Sequence, residues 1–280
     1  MQEDARGKRI LALNHAVGMG VSLMPKVIVC GRGGSGKSTL VVLLAKALAE
    51  RGKVLVVDAD ESNLGLPQML GQEAPAKTLM GCLGGKKAVR ERLKAALRGE
   101  GGEKVAFFTE SFTPDDLPDE CVSGKWPVKF LRVGKIEHSM EGCACPMGAL
   151  ARSFLKHLQT GSEEWVLVDT EAGVEHFGRG LLEGVDLVLG VVDPSYEAVL
   201  LAERARALTA EAGKKFGVVL NKVSEETEAF LRQELSARGI EVWGVLKLDT
   251  DIMRANLKGE PVPLEGTRRQ METLVTKLIT

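Results

Sequence analysis

Residues 31–39 read GRGGSGKST, set between the apolar run KVIVC and the segment LVVLLAKALAERG. Gly31, Gly36, Lys37 and Ser38 fit the spacing G-x-x-x-x-G-K-[ST]. Glycines at 31, 33, 34 and 36 let the backbone turn tightly, so that successive N–H groups face phosphate oxygens. Lys37 brings a positive charge to the β and γ oxygens, and the Ser38 hydroxyl is a ligand for Mg²⁺. Ser35 and Thr39 are counted with them as nucleotide-binding positions. The helix that starts here adds its N-terminal dipole. Strand, loop and helix follow in the order the motif requires.

Carboxylates stand at two matching places. VLVVDAD ends an apolar run with Asp58 and Asp60, and WVLVDTEAG ends another with Asp169, followed by Gly173. Open α/β sheets bind ligands beyond the carboxyl ends of their strands. One aspartate there is commonly a helix cap. For three aspartates around one phosphate loop, capping alone is not the expected role. Asn221, in NKVS after FGVVL, has an amide that can donate and accept on a purine edge. GTP-binding proteins carry a carboxylate two residues after that lysine; Ser224 stands there, so adenine is the expected base.

The elements that must hold these groups are short and aliphatic. Runs rich in Val, Ile and Leu occupy 26–30, 54–58, 105–108, 128–133, 165–169, 187–192, 216–221 and 242–248. Most are continuous rather than alternating, as in strands covered on both faces. TLVVLLAKALAERG and YEAVLLAERARALTAEAG read as crossover helices ended by glycine. The expected fold is one doubly wound α/β domain with a mostly parallel sheet of about seven or eight strands. Residues 24–280 form that domain, residues 1–23 are a leader of unknown role, and 71–127 are an irregular insertion with one basic, solvated helix. The 280 residues include 32 glycines and are 44% hydrophobic but 4% aromatic, which favours an aliphatic α/β core over a β-sandwich. A net charge of −1 provides no bulk field for nucleic acid or anionic lipid. No segment has the length of a membrane span.

Five cysteines, an odd number, do not form an obvious disulfide framework, and a reducing cytoplasmic setting is expected. Cys30 reads as core, and Cys82 and Cys121 have no spaced partner. Cys143 and Cys145 differ. In an extended segment their side chains share one side, and two thiolates so close need a cation or a bond. A closed soft-metal site wants four ligands, which a twofold dimer completes by symmetry. Two unrelated small residues, or a vicinal redox pair, are the other readings. His138 is an accessory ligand or a surface histidine. Glu171, Glu175 and His176 couple the Asp169 segment to a partner or form salt links.

GRGGSGKST resembles the deviant phosphate loop K-G-G-x-x-G-K-[ST] of the dimeric ATPases that include MinD, ParA, the arsenite-pump ATPase and nitrogenase iron protein. The resemblance implies that Arg32, where that class has lysine, reaches the partner subunit's phosphates. It implies that Asp60 orients the attacking water and that Asp58 and Asp169 help hold Mg²⁺. Gly173 is then the switch glycine that senses the γ-phosphate. The stretches GCACPMGALAR, DTEAGVEHFGRG, MGCLGGKK and VVDPSYEAV look like the CooC-type nickel-insertion ATPases of carbon monoxide dehydrogenase. That family implies a homodimeric MgATPase with Ni²⁺ between two C-x-C pairs, here Cys143 and Cys145 of segment 136–148, and an apo carbon monoxide dehydrogenase as client. Four cysteines also accept Zn²⁺. Nucleic acid and membrane are not expected partners. The rivals are a positioning ATPase of MinD or ParA type, which wants an amphipathic tail that PLEGTRRQMETLVTKLIT supplies only weakly, and an electron-transfer ATPase with a bridging [4Fe–4S] cluster.

Overall fold

A computed structural model describes residues 24–97, 107–135, 145–178 and 180–279. In chain order, β1 (Lys26–Gly31) leads through the phosphate loop to α1 (Lys37–Leu48), β2 (Lys53–Asp58) and α2 (Leu66–Leu70). Then come α3 (Leu79–Cys82), α4 (Gly85–Leu97), β3 (Val122–Lys125), β4 (Val128–Arg132), α5 (Cys145–His157) and β5 (Glu164–Asp169). The last part holds α6 (Glu175–Gly178), β6 (Leu187–Val192), α7 (Tyr196–Glu211), β7 (Lys215–Val223), α8 (Glu225–Ala237), β8 (Val242–Lys247), α9 (Thr250–Lys258) and α10 (Arg268–Ile279).

The eight strands form one sheet in the order β3-β4-β2-β5-β1-β6-β7-β8. Every pairing is parallel except β3 with β4. Parallel strands need covered faces, and the residues of β1 alternate between two cores. Val27 and Val29 pack with α1 and α10, while Ile28 and Cys30 pack with the α5 side. Chain order reverses around β1, which pairs with β5 on one side and β6 on the other. That reversal opens a crevice at the carboxyl edge of β1, where the phosphate loop lies.

Two expectations change. Phe107 and Phe108 are not in a strand. They are buried in an aromatic group, with Phe108 at 5.0 Å from Phe112 and 6.0 Å from Phe154 between ring centroids. An apolar run filling the space under a helix looks the same in sequence as a buried strand. The eighth strand is instead β3, whose SGK reads as a turn; it pairs as a polar antiparallel edge inside the stretch expected to be irregular. Second, Cys82 and Cys121 are joined as a disulfide with Cα atoms 6.7 Å apart, although 39 residues separate them in sequence. The end of α3 and the turn before β3 meet there, so the cysteine count by itself does not argue for a reducing compartment.

The C-terminal helix is a core element. Met271, Leu274, Val275 and Leu278 of α10 are buried, and the helix packs on α1 and β8. No helix among the described residues is long and apolar enough to cross a membrane. Leu274 is fully buried, so Leu274→Ala is expected to cost about 2–5 kcal/mol in denaturant unfolding. A change below about 0.5 kcal/mol, the range of surface substitutions, would mean that α10 is peripheral.

Candidate nucleotide site

The phosphate loop is built for close approach. Gly36 has φ +99°, and a Cβ there would lie 2.2 Å from Asn221 Nδ2. A Cβ on Gly31 would meet Val191 O at 2.6 Å. Only glycine fits either place. Asn221 Nδ2 donates to Ser35 O at 2.7 Å, and Lys222 Nζ donates to Gly34 O at 2.7 Å. The Asn221 amide, expected on a purine edge, is buried here with its Nδ2 on the loop backbone. Lys222, the neighbour that the sequence reading passed over, is the second brace.

Helix α1 begins at Gly36 with no side-chain cap. By contrast Ser195, Ser224 and Asp249 cap α7, α8 and α9. An N-terminus left open at the end of a glycine loop is an anion site. Lys37 is nearly buried and its Nζ donates to Arg32 O at 3.2 Å. Ser35 Oγ is buried without a partner. These features fit a bound triphosphate.

Three aspartates stand at or just beyond the carboxyl ends of β2, β5 and β6, and each is compensated differently. Asp58 is fully buried. Its Oδ2 lies 3.1 Å from Arg132 Nε and 3.1 Å from Lys135 Nζ, and its Oδ1 accepts the Asp60 N–H at 3.2 Å. Both oxygens are therefore occupied by protein donors. Asp193, beyond β6, holds Arg32 in a fork: Nε donates to Oδ1 at 2.8 Å and Nη2 to Oδ2 at 2.5 Å. Arg32 Nη1 also donates to Gly33 O at 3.2 Å. Arg32 is thus tied to its own chain.

Among the described residues no cation forms an ion pair with Asp169. Its Oδ2 accepts from Ser38 Oγ at 2.7 Å and from Asn63 Nδ2 at 3.1 Å, and its Oδ1 is buried without a partner. Burial pushes its pKa up to about 7, with the Asp58 charge adding to the rise; Ser38, Lys37 and Asn63 oppose it. An orphaned carboxylate oxygen beside a serine hydroxyl fits a hard divalent cation. Ser38 and Asp169 are the residues that would hold Mg²⁺. Gly173 lies against the loop: its N–H donates to Gly31 O at 3.1 Å. Asp60 is half-buried, and its Oδ1 accepts from Ser62 N at 2.8 Å and from Ser62 Oγ at 2.7 Å. Thr39 Oγ1 accepts weakly from Asn256 Nδ2 at 3.4 Å.

The cysteine pair falls at a boundary. Cys143 and His138 lie outside the described residues, while Cys145 opens α5. At the far end of that helix, Lys26 Nζ donates to Leu155 O and Leu158 O, each at 2.9 Å. Lys26 starts β1 at the amino edge of the sheet. The 13 residues of α5 span about 20 Å. A six-residue strand covers about the same length, so Cys145 is delivered to the carboxyl edge, where the nucleotide loop lies. Among the described residues no group of three His, Cys, Asp or Glu forms a metal cluster.

Asp193, Lys135, Arg132 and Asn63 escaped the sequence reading. Asp193 follows its apolar run just as Asp58 and Asp169 follow theirs, so the same signal was available. Lys135 has no such local signal.

Asp169 predicts a pH effect. Its folded pKa is raised, so the native state holds a proton that the unfolded chain releases near pH 4. Stability from this group is greatest below pH 4 and falls as pH rises towards 7, at up to about 1.4 kcal/mol per unit. Asp169→Asn removes the slope: in nucleotide-free thermal melts from pH 4.5 to 8, the variant is expected to gain on the wild type as pH rises. A constant difference between the two would contradict the buried, uncompensated carboxylate.

Residues 26–262 match the family described as the CobQ/CobB/MinD/ParA nucleotide binding domain. An uncharacterized ATP-binding protein of Methanocaldococcus jannaschii is 41% identical over 241 residues, 86% of this chain and 94% of that protein. The carbon monoxide dehydrogenase accessory protein CooC of Rhodospirillum rubrum is 33% identical over 243 residues, 84% of this chain and 88% of its own. The septum site-determining protein MinD of Pyrococcus horikoshii, complexed with Mg-ADP, shares the fold with a TM-score of 0.62 at 19% identity, covering 91% of this chain and 96% of that one. A phosphate loop at the topological switch point, its braces and this match over most of the sequence agree: the chain belongs to the CobQ/CobB/MinD/ParA nucleotide-binding family and is a P-loop ATPase.

Proposed function

We propose that the chain is a homodimeric MgATP-dependent metallochaperone that carries Ni²⁺ between two Cys143–Cys145 pairs and delivers it to an apo carbon monoxide dehydrogenase. The observation that carries this reading is the placement of Cys145 at the carboxyl edge, on the same edge as the phosphate loop and Asp169. A twofold contact across that edge brings two C-x-C pairs together and supplies four sulfurs. The relative CooC is named as an accessory protein of carbon monoxide dehydrogenase, which supports the client. Zn²⁺ is accommodated by the same ligands. Cytoplasm is the proposed setting, because ATP is supplied there.

In this reading each residue has one task. The loop N–H groups and Lys37 bind the phosphates, and Asn221 and Lys222 keep the loop rigid. Mg²⁺, when bound by Ser38 and Asp169, neutralises charge on the phosphate oxygens. Asp60 orients the attacking water. Gly173, docked on Gly31, reports the state of the loop to the segment that follows Asp169. Arg32 exchanges Asp193 for the partner subunit's phosphates when two copies meet, acting as an arginine finger. The membrane-positioning alternative gains no support from α10, because its apolar face is already buried.

The test is metal analysis of anaerobically purified protein titrated with Ni²⁺, with and without ATP. One Ni²⁺ per dimer is expected, falling towards zero in Cys143→Ala. Retention of one ion per dimer in that variant defeats the ligand assignment. A brown protein with a broad band near ~400 nm, a charge-transfer absorption of iron–sulfur clusters held by cysteine thiolates, would favour the electron-transfer alternative.

The Arg32–Asp193 pair predicts a second outcome. Asp193→Ala frees the guanidinium and is expected to raise the ATP-dependent dimer fraction several-fold in sedimentation velocity, whereas Arg32→Ala lowers it. Equal dimerisation in both variants and the wild type removes the role of Arg32 in trans.

A further inference from the structure

Lys135 follows β4 by three residues, and its side chain is 5% exposed. Lysine is rarely so buried unless paired. Its Nζ reaches two acceptors on a different part of the chain, Asp58 Oδ2 at 3.1 Å and the backbone carbonyl of Asp60. Asp58 in turn accepts the Asp60 N–H. The backbone of Asp60 is thus held on both sides, by Asp58 at its N–H and by Lys135 at its carbonyl. Neither contact uses the Asp60 carboxylate, whose Oδ1 accepts from Ser62 N and Ser62 Oγ. Two further bonds fix the surroundings: Ala59 N–H donates to Asp169 O at 2.9 Å, and Val133 N–H donates to Asp58 O at 2.9 Å. A group that must orient a water needs this combination of a locked backbone and a carboxylate that the lock does not consume.

We infer that Lys135 is a positioning residue for hydrolysis: by clamping Asp58 and the Asp60 carbonyl it sets where the Asp60 carboxylate stands. The inference rests on the reading of Asp60 as the residue that orients the attacking water. In that step the water oxygen bonds to the γ-phosphorus as the bond to the β–γ bridging oxygen breaks. ADP leaves, and the water's two protons depart with inorganic phosphate as H2PO4−, which then loses one of them to solvent near neutral pH. Lys135 touches none of these atoms; it acts through Asp60.

The local chemistry makes the test clean. Arg132 Nε also lies 3.1 Å from Asp58 Oδ2, so removing Lys135 leaves Asp58 paired. What is lost is the tether on Asp60. Lys135→Met and Lys135→Arg are compared with wild type and with Asp60→Asn, measuring kcat, the Kd of MgATP from a fluorescent analogue, and Tm. Displacing a positioned group by about 1 Å costs roughly 10²-fold. Lys135→Met is therefore expected to lose roughly 10²-fold in kcat with Kd within about threefold of wild type, and Lys135→Arg to recover about tenfold of that loss.

Parallel decline of kcat, MgATP affinity and Tm would assign Lys135 a purely structural role and overturn the inference. So would a kcat for Lys135→Met within about threefold of wild type while Asp60→Asn is inactive. An Asp60→Asn protein that hydrolyses at the wild-type rate refutes the Asp60 reading itself, and the inference falls with it. The Asp60→Asn arm therefore shows which of the two has failed.

Discussion

The structure turns on how buried negative charge is compensated at the carboxyl edge of one parallel sheet. β2 and β5 end in buried aspartates, and a third follows β6. A lone carboxylate in such a place is costly, because burial favours the neutral acid. Asp58 has two internal cations, Arg132 and Lys135. Asp193 has Arg32. Asp169 has a hydroxyl and an amide, and one oxygen left unpartnered. The difference is informative. Two of these charges are satisfied by the chain alone, and the third is satisfied only in part until a cation arrives beside Ser38.

This arrangement separates stability from function. The Asp58 cluster ties the end of β2 to the end of β4 and to the loop bearing Asp60, so it belongs to the scaffold as well as to the site. The Arg32–Asp193 fork is of another kind. It is a bidentate pair, but its guanidinium is one-third exposed, and a solvent-screened pair of that sort is weak enough to exchange. On the trans role proposed for Arg32, the pair that exchanges lies towards the surface, while the Asp58 pairs lie in the interior.

Legibility in the sequence followed locality. The phosphate loop, the strand ends Asp58 and Asp169, and seven of the eight strands were readable because each signal occupies a few consecutive residues. Asp193 carried the same signal, and although VVDPSYEAV was noted for its resemblance, Asp193 was not read as a site residue. Lys135 could not be found that way: its acceptors are 75 and 77 residues distant, and a lysine after a strand is ordinarily solvated. Asn221 was readable as a site residue, but the sequence could not say that its amide faces the loop backbone. Phe107 and Phe108, expected in a strand, and the Cys82–Cys121 bond share a cause: each is fixed by contacts with residues distant in sequence, Phe154 in one case and the partner cysteine 39 residues away in the other.

The crossover from β4 to β5 sets the edge at which Cys145 stands. β2 lies between these two strands in the sheet, so the chain must leave β4 at the carboxyl edge and return along one face to begin β5 at the other. Right-handed crossovers do this with a helix running antiparallel to the strands. The first residues of such a helix are necessarily at the edge that holds the nucleotide. Lys26 fixes the opposite end of α5 with two hydrogen bonds to its last carbonyls, so the helix cannot slide along the sheet without breaking them. The topology that buries the aliphatic core thereby also fixes the edge at which Cys145 begins its helix. Lys135, three residues past β4, pairs with Asp58 at the point where the chain leaves that edge of the sheet.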